Sequence, residues 1–328
     1  MAGEIARRLR PSSNEEVKDD YENLKLIACE KVSPLSRIGL TVLDHFFLQY
    51  RIKTKTKHNI SFYEALQDKK LVEYLNQKVK QLKATRRKNT EDQVLRLQYD
   101  MFQLYYGTIN QFRPTEALKL YCLLKPKLGI LDFSAGWGGR CLAAMALNIP
   151  YIGIDANKNL QKPYRDMIDM VKPESKVTMI FKPSESINFN KYKYDLIFTS
   201  PPYFMLEVYE KMPSYESKVA FLDTFFRPVI ERAWNNLAPG GHLALNMPVE
   251  MYKAVKSCLA PLKKKIELAL AHRHAGISSG IDQLYKEYTY VWKKTSRNKT
   301  LKCKRGSVIG GRLKAKNKTI KSKGLLHK

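Results

Sequence analysis

The spacing of apolar positions changes character near residue 110. Before it, the pattern is helical. Leu35, Ile38, Leu40, Val42, Leu43, Phe46, Phe47 and Leu48 predict one buried helix over 34–50. Ser13 to Glu16 and Ser61 to Glu64 have the Ser-x-x-Glu spacing of capping boxes, so a helix is expected to start at each. Leu71, Leu75, Val79 and Leu82 follow at helical intervals. Thr90 stands where a cap is needed, with Glu91 and Asp92 at the positive end of the helix it opens. Val94, Leu97, Met101, Leu104 and Tyr105 form the stripe of that helix, and Gly107 can end it. Residues 1–20 are polar and mixed in charge and read as a loose arm. Residues 1–110 are thus expected to form a basic, helical N-terminal domain.

From residue 111 the pattern alternates between short apolar runs and longer amphipathic ones, which predicts an α/β fold with a mostly parallel sheet covered on both faces. Strands are expected at 128–133, 151–155, 177–181, 194–198, 242–247, 266–272 and 287–293, the last two as an antiparallel pair. Helices are expected over 141–147, 221–237 and 249–262. This α/β domain spans 111–294. Residues 295–328 have little periodicity and read as a disordered basic tail.

Charge sharpens the picture. The chain has 328 residues and a formal charge of +27. Residues 293–328 hold 14 Lys or Arg and no acid, yet the body stays basic without them. Such an excess points to a polyanionic partner, nucleic acid above all. Arg51, Lys53, Lys55 and Lys57, and then Arg86, Arg87 and Lys88, are candidate contacts within the helical part. No apolar run reaches membrane-spanning length, so no membrane partner is expected. The five cysteines are far apart and form no CxxC pair, which argues against a disulfide framework or a zinc site and for a reducing, intracellular compartment. No metal site is expected.

Candidate chemistry gathers at two stretches. Strand 128–133 runs into Ser134-Ala135-Gly136-Trp137-Gly138-Gly139, a turn whose glycines let backbone approach a ligand closely. The next strand ends in Asp155, about 20 residues on, the spacing at which a carboxylate accepts both hydroxyls of a ribose. Glu185, after the third strand, could reach an adenine ring. The second stretch is Ser200-Pro201-Pro202-Tyr203-Phe204, after the apolar run 194–198. Two prolines end that strand and hold acceptors beside an aromatic face, an arrangement suited to a flat group bearing an NH2.

Asp132 to Gly139 followed by Ser200-Pro201-Pro202-Tyr203 resembles the class I S-adenosylmethionine-dependent methyltransferases, and within them those that methylate exocyclic nitrogens of DNA bases. Phe112-Arg113-Pro114-Thr115 resembles a further cofactor-contacting segment of that family, and the order of the three is similar to its gamma arrangement. Leu237 to His242 resembles the turn before the fifth strand. The resemblance implies a Rossmann-like sheet of seven strands with the last pair antiparallel, and S-adenosyl-L-methionine as cofactor. It implies that Asp132, Phe133, Ala135, Gly136 and Gly138 border the methionine part, that Asp155 binds the ribose and Glu185 the adenine amine, and that Arg113 and Thr115 approach the cofactor carboxylate. Ser200 and the carbonyl of Pro201, held by Pro202, take the catalytic place as acceptors for the target amine, and Tyr203, with Phe204, stacks on the target base.

Serine in first place favours cytosine N4 over adenine N6 by analogy with that family; an RNA amino-methyltransferase of the same fold is the alternative to DNA methylation, and the lack of a target-recognition domain leans toward it. Related chains occur in phages and large DNA viruses, which implies a viral origin. No segment long enough for a separate target-recognition domain follows Phe204. The competing reading is a non-enzymatic nucleic-acid-binding protein on a methyltransferase-derived scaffold. The tail is either a salt-sensitive anchor on nucleic acid or a solubilising segment.

Overall fold

The structure is a computed structural model that describes residues 1–27, 29–33, 36–81, 90–202, 215, 217–256, 258–259, 263–267, 287–298 and 300–303. The helical part contains α1 (Ala2–Leu9), α2 (Asn14–Lys25), α3 (Leu40–Arg51), α4 (Phe62–Ala65), α5 (Lys69–Gln81) and α6 (Glu91–Tyr106). The capping boxes form: Ser13 with Glu16, Ser61 with Glu64, and Thr90 with Gln93. Gly107 ends α6 at φ +100°.

Residues 2–9 are a helix and not a loose arm. Ala6 and Leu9 are buried against α3 and α6, and the Arg8 guanidinium reaches Asp92 at 2.6 Å. Helix α3 starts at Leu40, later than the apolar run implies. Gly39 turns the chain at φ +87°, and the Asp20 carboxylate of α2 accepts from the backbone N–H groups of Gly39, Thr41 and Val42. A carboxylate on another helix therefore caps the orphan donors of α3.

The α/β part runs α7 (Pro114–Leu124), β1 (Ile130–Asp132), α8 (Gly139–Ala146), β2 (Tyr151–Ile154), α9 (Gln161–Val171), β3 (Val177–Ile180) and β4 (Leu196–Thr199). It continues with α10 (Lys218–Phe221), a π-helical turn (Leu222–Phe226), α11 (Arg227–Asn236), β5 (His242–Pro248), α12 (Val249–Val255), β6 (Lys264–Glu267) and β7 (Glu287–Lys293). The strands lie in the order β3-β2-β1-β4-β5-β7-β6. The first five are parallel, and β7 is antiparallel to both β5 and β6. Six strands make the body of this mixed sheet; β6 is a four-residue edge strand. Helix α12 ends at Val255 rather than at 262, and residues 268–272 of the expected sixth strand lie outside the described residues.

Alternation along the strands sorts the core. Ile130, Leu196, Phe198, Ala244 and Val291 face α7, α8 and α9. Leu131, Ile197, Leu243, Leu245 and Trp292 face α11 and α12. The change of pattern at residue 110 is not a break in packing. Val17, Tyr21 and Leu24 of α2 and Val42, Leu43 and Phe47 of α3 belong to the first of these cores, while α1, α4, α5 and α6 close a third core around the other side of α3.

Two further expectations are corrected. Cys29 and Cys122 form a disulfide, with Cα atoms 5.6 Å apart; their 93-residue separation hid the pairing. The tail does not begin at 295. Leu301 is buried, its N–H donates to the Asn235 side chain at 2.8 Å, and the Cys303 N–H donates to Glu231. Just before it, the Lys294 ammonium donates to the carbonyls of Trp234, Asn235 and Leu237 at 2.7–3.0 Å, capping the negative end of α11. Residues 304–328 lie outside the described residues.

Beneath the glycine turn lies a buried ion pair. Arg140 Nε donates to Asp132 Oδ2 at 2.6 Å, and both side chains are almost wholly out of water. The Tyr151 hydroxyl donates to the same oxygen at 2.6 Å, and the guanidinium also bonds the Ser134 carbonyl. Removing one member strands a buried charge, which costs about 3–5 kcal/mol. Arg140→Met should therefore lower the free energy of unfolding by about that amount in urea titration, whereas Arg165→Met, at an exposed site, should leave it within about 0.5 kcal/mol.

Candidate active site

Register brings the two chemical stretches together. Ile130 pairs with Leu196 and Leu131 with Ile197, so β1 and β4 are parallel neighbours. The glycine turn and Ser200-Pro201-Pro202 leave the same carboxyl edge of the sheet side by side, at about the 4.8 Å strand spacing. In open α/β sheets that edge is where ligands bind.

The glycine turn divides by what each residue meets. Gly136 has φ +59°, and a Cβ added to it would meet nothing nearer than the Ser134 carbonyl at 3.9 Å. Among the described residues, nothing else lies within 4 Å of that position. Gly138 is different: a Cβ there would lie 2.8 Å from Phe47 of α3. One on Gly139 would overlap the Phe112 carbonyl oxygen. These two glycines are demanded by packing against the N-terminal helices and the segment before α7. Gly136 alone leaves a cradle.

Several of the residues expected to border a cofactor also bond or pack inside the protein. Asp132 is fully buried and holds the Arg140 ion pair, so it shapes the turn from below. The Phe133 side chain is buried on the α11 side, and its carbonyl accepts from Ser184 Oγ at 2.6 Å. The Ala135 carbonyl accepts from Tyr164 Oη and its N–H donates to Ile154. Thr115 is fully buried, with its hydroxyl donating to the Ser36 carbonyl at 3.3 Å. Arg113 is half-buried at the start of α7, where its carbonyl accepts from Ala117.

Asp155 and Glu185 stand at the open edge. The Asp155 carboxylate, half-buried, accepts from the N–H groups of Gly136 and Asn157, both at 2.8 Å. Burial pushes its pKa up to about 6, against the pull of those two amides. Glu185 is half-buried and accepts from the Tyr215 hydroxyl at 3.4 Å. Tyr215 packs edge-on to Phe221 at 5.2 Å and so ties Glu185 to α10. The open side of Gly136 and the acid beside it are the features a ribose-bearing ligand requires.

On the neighbouring strand, Ser200 is half-buried and Pro201 buried. Ser200 Oγ donates to Asn246 Oδ1 at 3.2 Å, and Asn246 is 2 % exposed in β5. A hydroxyl has one proton. With that proton on Asn246, the oxygen can only accept any further bond. Asn246 is not among the residues that the motifs single out; its signal in the sequence is a lone amide in the apolar run Leu243–Met247. Tyr215 gave no signal at all. Tyr203 and Phe204 lie outside the described residues. Among the described residues there is no group of three or more His, Cys, Asp or Glu that could hold a metal ion.

No protein-family model matches the chain, and no curated protein matches it. Similar solved structures include TrmN from Thermus thermophilus, at 14% identity and TM-score 0.40 over 74% of this chain and 80% of that one. A methyltransferase from Pyrococcus furiosus is 19% identical, with TM-score 0.37, over 60% and 93%. The M. jannaschii tRNA m1G37 methyltransferase is 15% identical, with TM-score 0.37; the match covers 55% of this chain and about half, 48%, of that one.

The raised pKa of Asp155 carries a sign. Its ionised form is the one that accepts hydroxyls, so binding of S-adenosylhomocysteine should weaken as pH falls through about 6, by about tenfold per pH unit below it. Calorimetry from pH 5 to 8 should show this slope in the native protein and a flat profile in Asp155→Asn. In the free protein the linkage runs the other way: the raised pKa makes ionised Asp155 a stability cost, relieved as pH falls from 6 towards the unfolded value near 4.

Proposed function

We propose that this protein is an S-adenosyl-L-methionine-dependent methyltransferase acting on an exocyclic amine of a nucleobase in nucleic acid, DNA in preference to RNA and cytosine N4 in preference to adenine N6. The observation that carries the reading is the pairing at one sheet edge of the open Gly136 cradle, beside Asp155, with Ser200 oriented by Asn246. The preference for DNA and for cytosine rests on the resemblance of the Ser-Pro-Pro-Tyr stretch alone.

The cofactor, when bound, supplies a methyl group bearing the electrophilic carbon. Gly136 would give it room, Asp155 would accept from its ribose hydroxyls and Glu185 from its adenine amine. The remaining work falls to the β4 edge. An exocyclic amine is a poor nucleophile because its lone pair is delocalised into the ring. Ser200 Oγ, its own proton fixed on Asn246, and the Pro201 carbonyl accept the two amine hydrogens. Acceptors on both hydrogens favour a tetrahedral nitrogen, whose lone pair would form the N–C bond as the S–C bond breaks and S-adenosylhomocysteine leaves; one amine proton would then pass to solvent. The rigid Pro201-Pro202 pair keeps both acceptors in place, so acceleration comes from positioning and electrostatics. A duplex base must leave its stack, at a cost of a few kcal/mol; Tyr203 and Phe204 offset part of that by stacking.

Transfer of an isotopically labelled methyl group to mixed oligonucleotides tests the assignment. Ser200→Ala should lower kcat by about 100-fold and leave the affinity for S-adenosylhomocysteine unchanged. Asn246→Leu should lower kcat in the same direction, because the freed hydroxyl can then point its proton at the amine. Full turnover in both variants would remove Ser200 from the chemistry.

A further inference from the structure

The exposed end of the α5–α6 pair combines three features that the site at the sheet edge does not use. Tyr74 of α5 and Tyr105 of α6 meet edge to face, with ring centroids 5.8 Å apart. The Lys78 ammonium lies over both rings, 5.2 Å from one centroid and 5.3 Å from the other. Tyr105 is 43% exposed and its neighbour Leu104 54%. Among the described residues Lys78 has no carboxylate partner.

Among the described residues, this lysine held between two rings neutralises no acid, in a chain of net charge +27. It is a cation with a fixed place beside exposed aromatic surface. A phosphate satisfies the ammonium and a base satisfies the ring, and single-stranded nucleic acids are bound by this combination. An apolar protein partner would find Leu104 and Tyr105 attractive but would have to desolvate Lys78 without pairing it.

Helix α6 ends at Tyr106, and six residues on, the Phe112 carbonyl packs against Gly139 of the glycine turn, so the chain links the patch directly to that turn.

We propose that Tyr74, Lys78, Leu104 and Tyr105 form a second nucleic-acid contact, which stacks a base and pairs a phosphate of the unpaired strand beside the target base. The inference rests on the nucleic-acid reading of the site, but not on methyl transfer.

Fluorescence anisotropy with 12-nucleotide single strands of DNA and of RNA, and a 12-base-pair duplex as competitor, tests it on the full chain. Tyr105→Ala should weaken single-strand binding about tenfold, and Tyr105→Trp should restore it. Lys78→Ala should flatten the slope of log affinity against log salt by about 0.7, the value for one phosphate on a single strand. Thermal melts of each variant show whether the fold survives; if Tyr105→Ala does not fold, Tyr105→Ser with the tryptophan variant carries the test. The two strand chemistries decide whether DNA or RNA is the tighter ligand. Unchanged affinity and salt slope in folded variants overturns the proposal, as does a duplex that displaces the single strand with equal affinity in wild type and variants alike. Loss of binding without any methyl transfer to either strand leaves the patch standing and the catalytic reading fallen.

Discussion

The site depends on the ion pair between Arg140 and Asp132. Neither group has water to solvate it, and each costs several kcal/mol to bury. The surroundings offset that cost. Asp132 accepts from Arg140, from the Tyr151 hydroxyl and from the Ser134 N–H. The guanidinium lies 5.1 Å from the Phe112 ring and 5.9 Å from that of Phe198. The Tyr121 hydroxyl bonds the Arg140 carbonyl at 3.1 Å. One buried pair thus joins β1, β2, β4, α7 and α8 under a single turn of backbone. The shape of that turn, and with it the open side of Gly136, follows from satisfying these charges.

The N-terminal helices enter the same arrangement from above. Phe47 and Leu43 lie against Gly138, and the Pro114 ring lies 2.8 Å from where a Cβ on Gly39 would be. A side chain at any of these glycines would push the helical layer off the sheet. The helices therefore act as part of the wall behind the glycine turn at this sheet edge. This also accounts for the buried Thr115, whose hydroxyl holds Ser36 in the link between α2 and α3.

The sequence is legible where local physics decides the outcome. The capping boxes at Ser13, Ser61 and Thr90, the strand-turn-helix around Gly136 and the acid ending β2 all depend on neighbours within a few residues. What escaped was set by distant partners. Helix α1 is ordered by Asp92 and by burial of Ala6 and Leu9. Leu301 is ordered by Asn235, 66 residues away. Cys29 and Cys122 look isolated until α7 and the segment after α2 meet. For Asp132, Phe133, Ala135, Thr115 and Gly138 the same physics applies: a motif names residues at a turn, but which of them face outward depends on what packs behind.

The central claim is that an amine held at Ser200 is methylated from a donor seated at Gly136. The most direct measurement is tandem mass spectrometry of nucleosides from DNA and RNA incubated with the protein and a donor carrying a labelled methyl group. The account predicts the label on an exocyclic nitrogen, N4 of cytosine before N6 of adenine. Label on a ring carbon or a ribose oxygen, or none on any nucleoside while the donor binds, would contradict it.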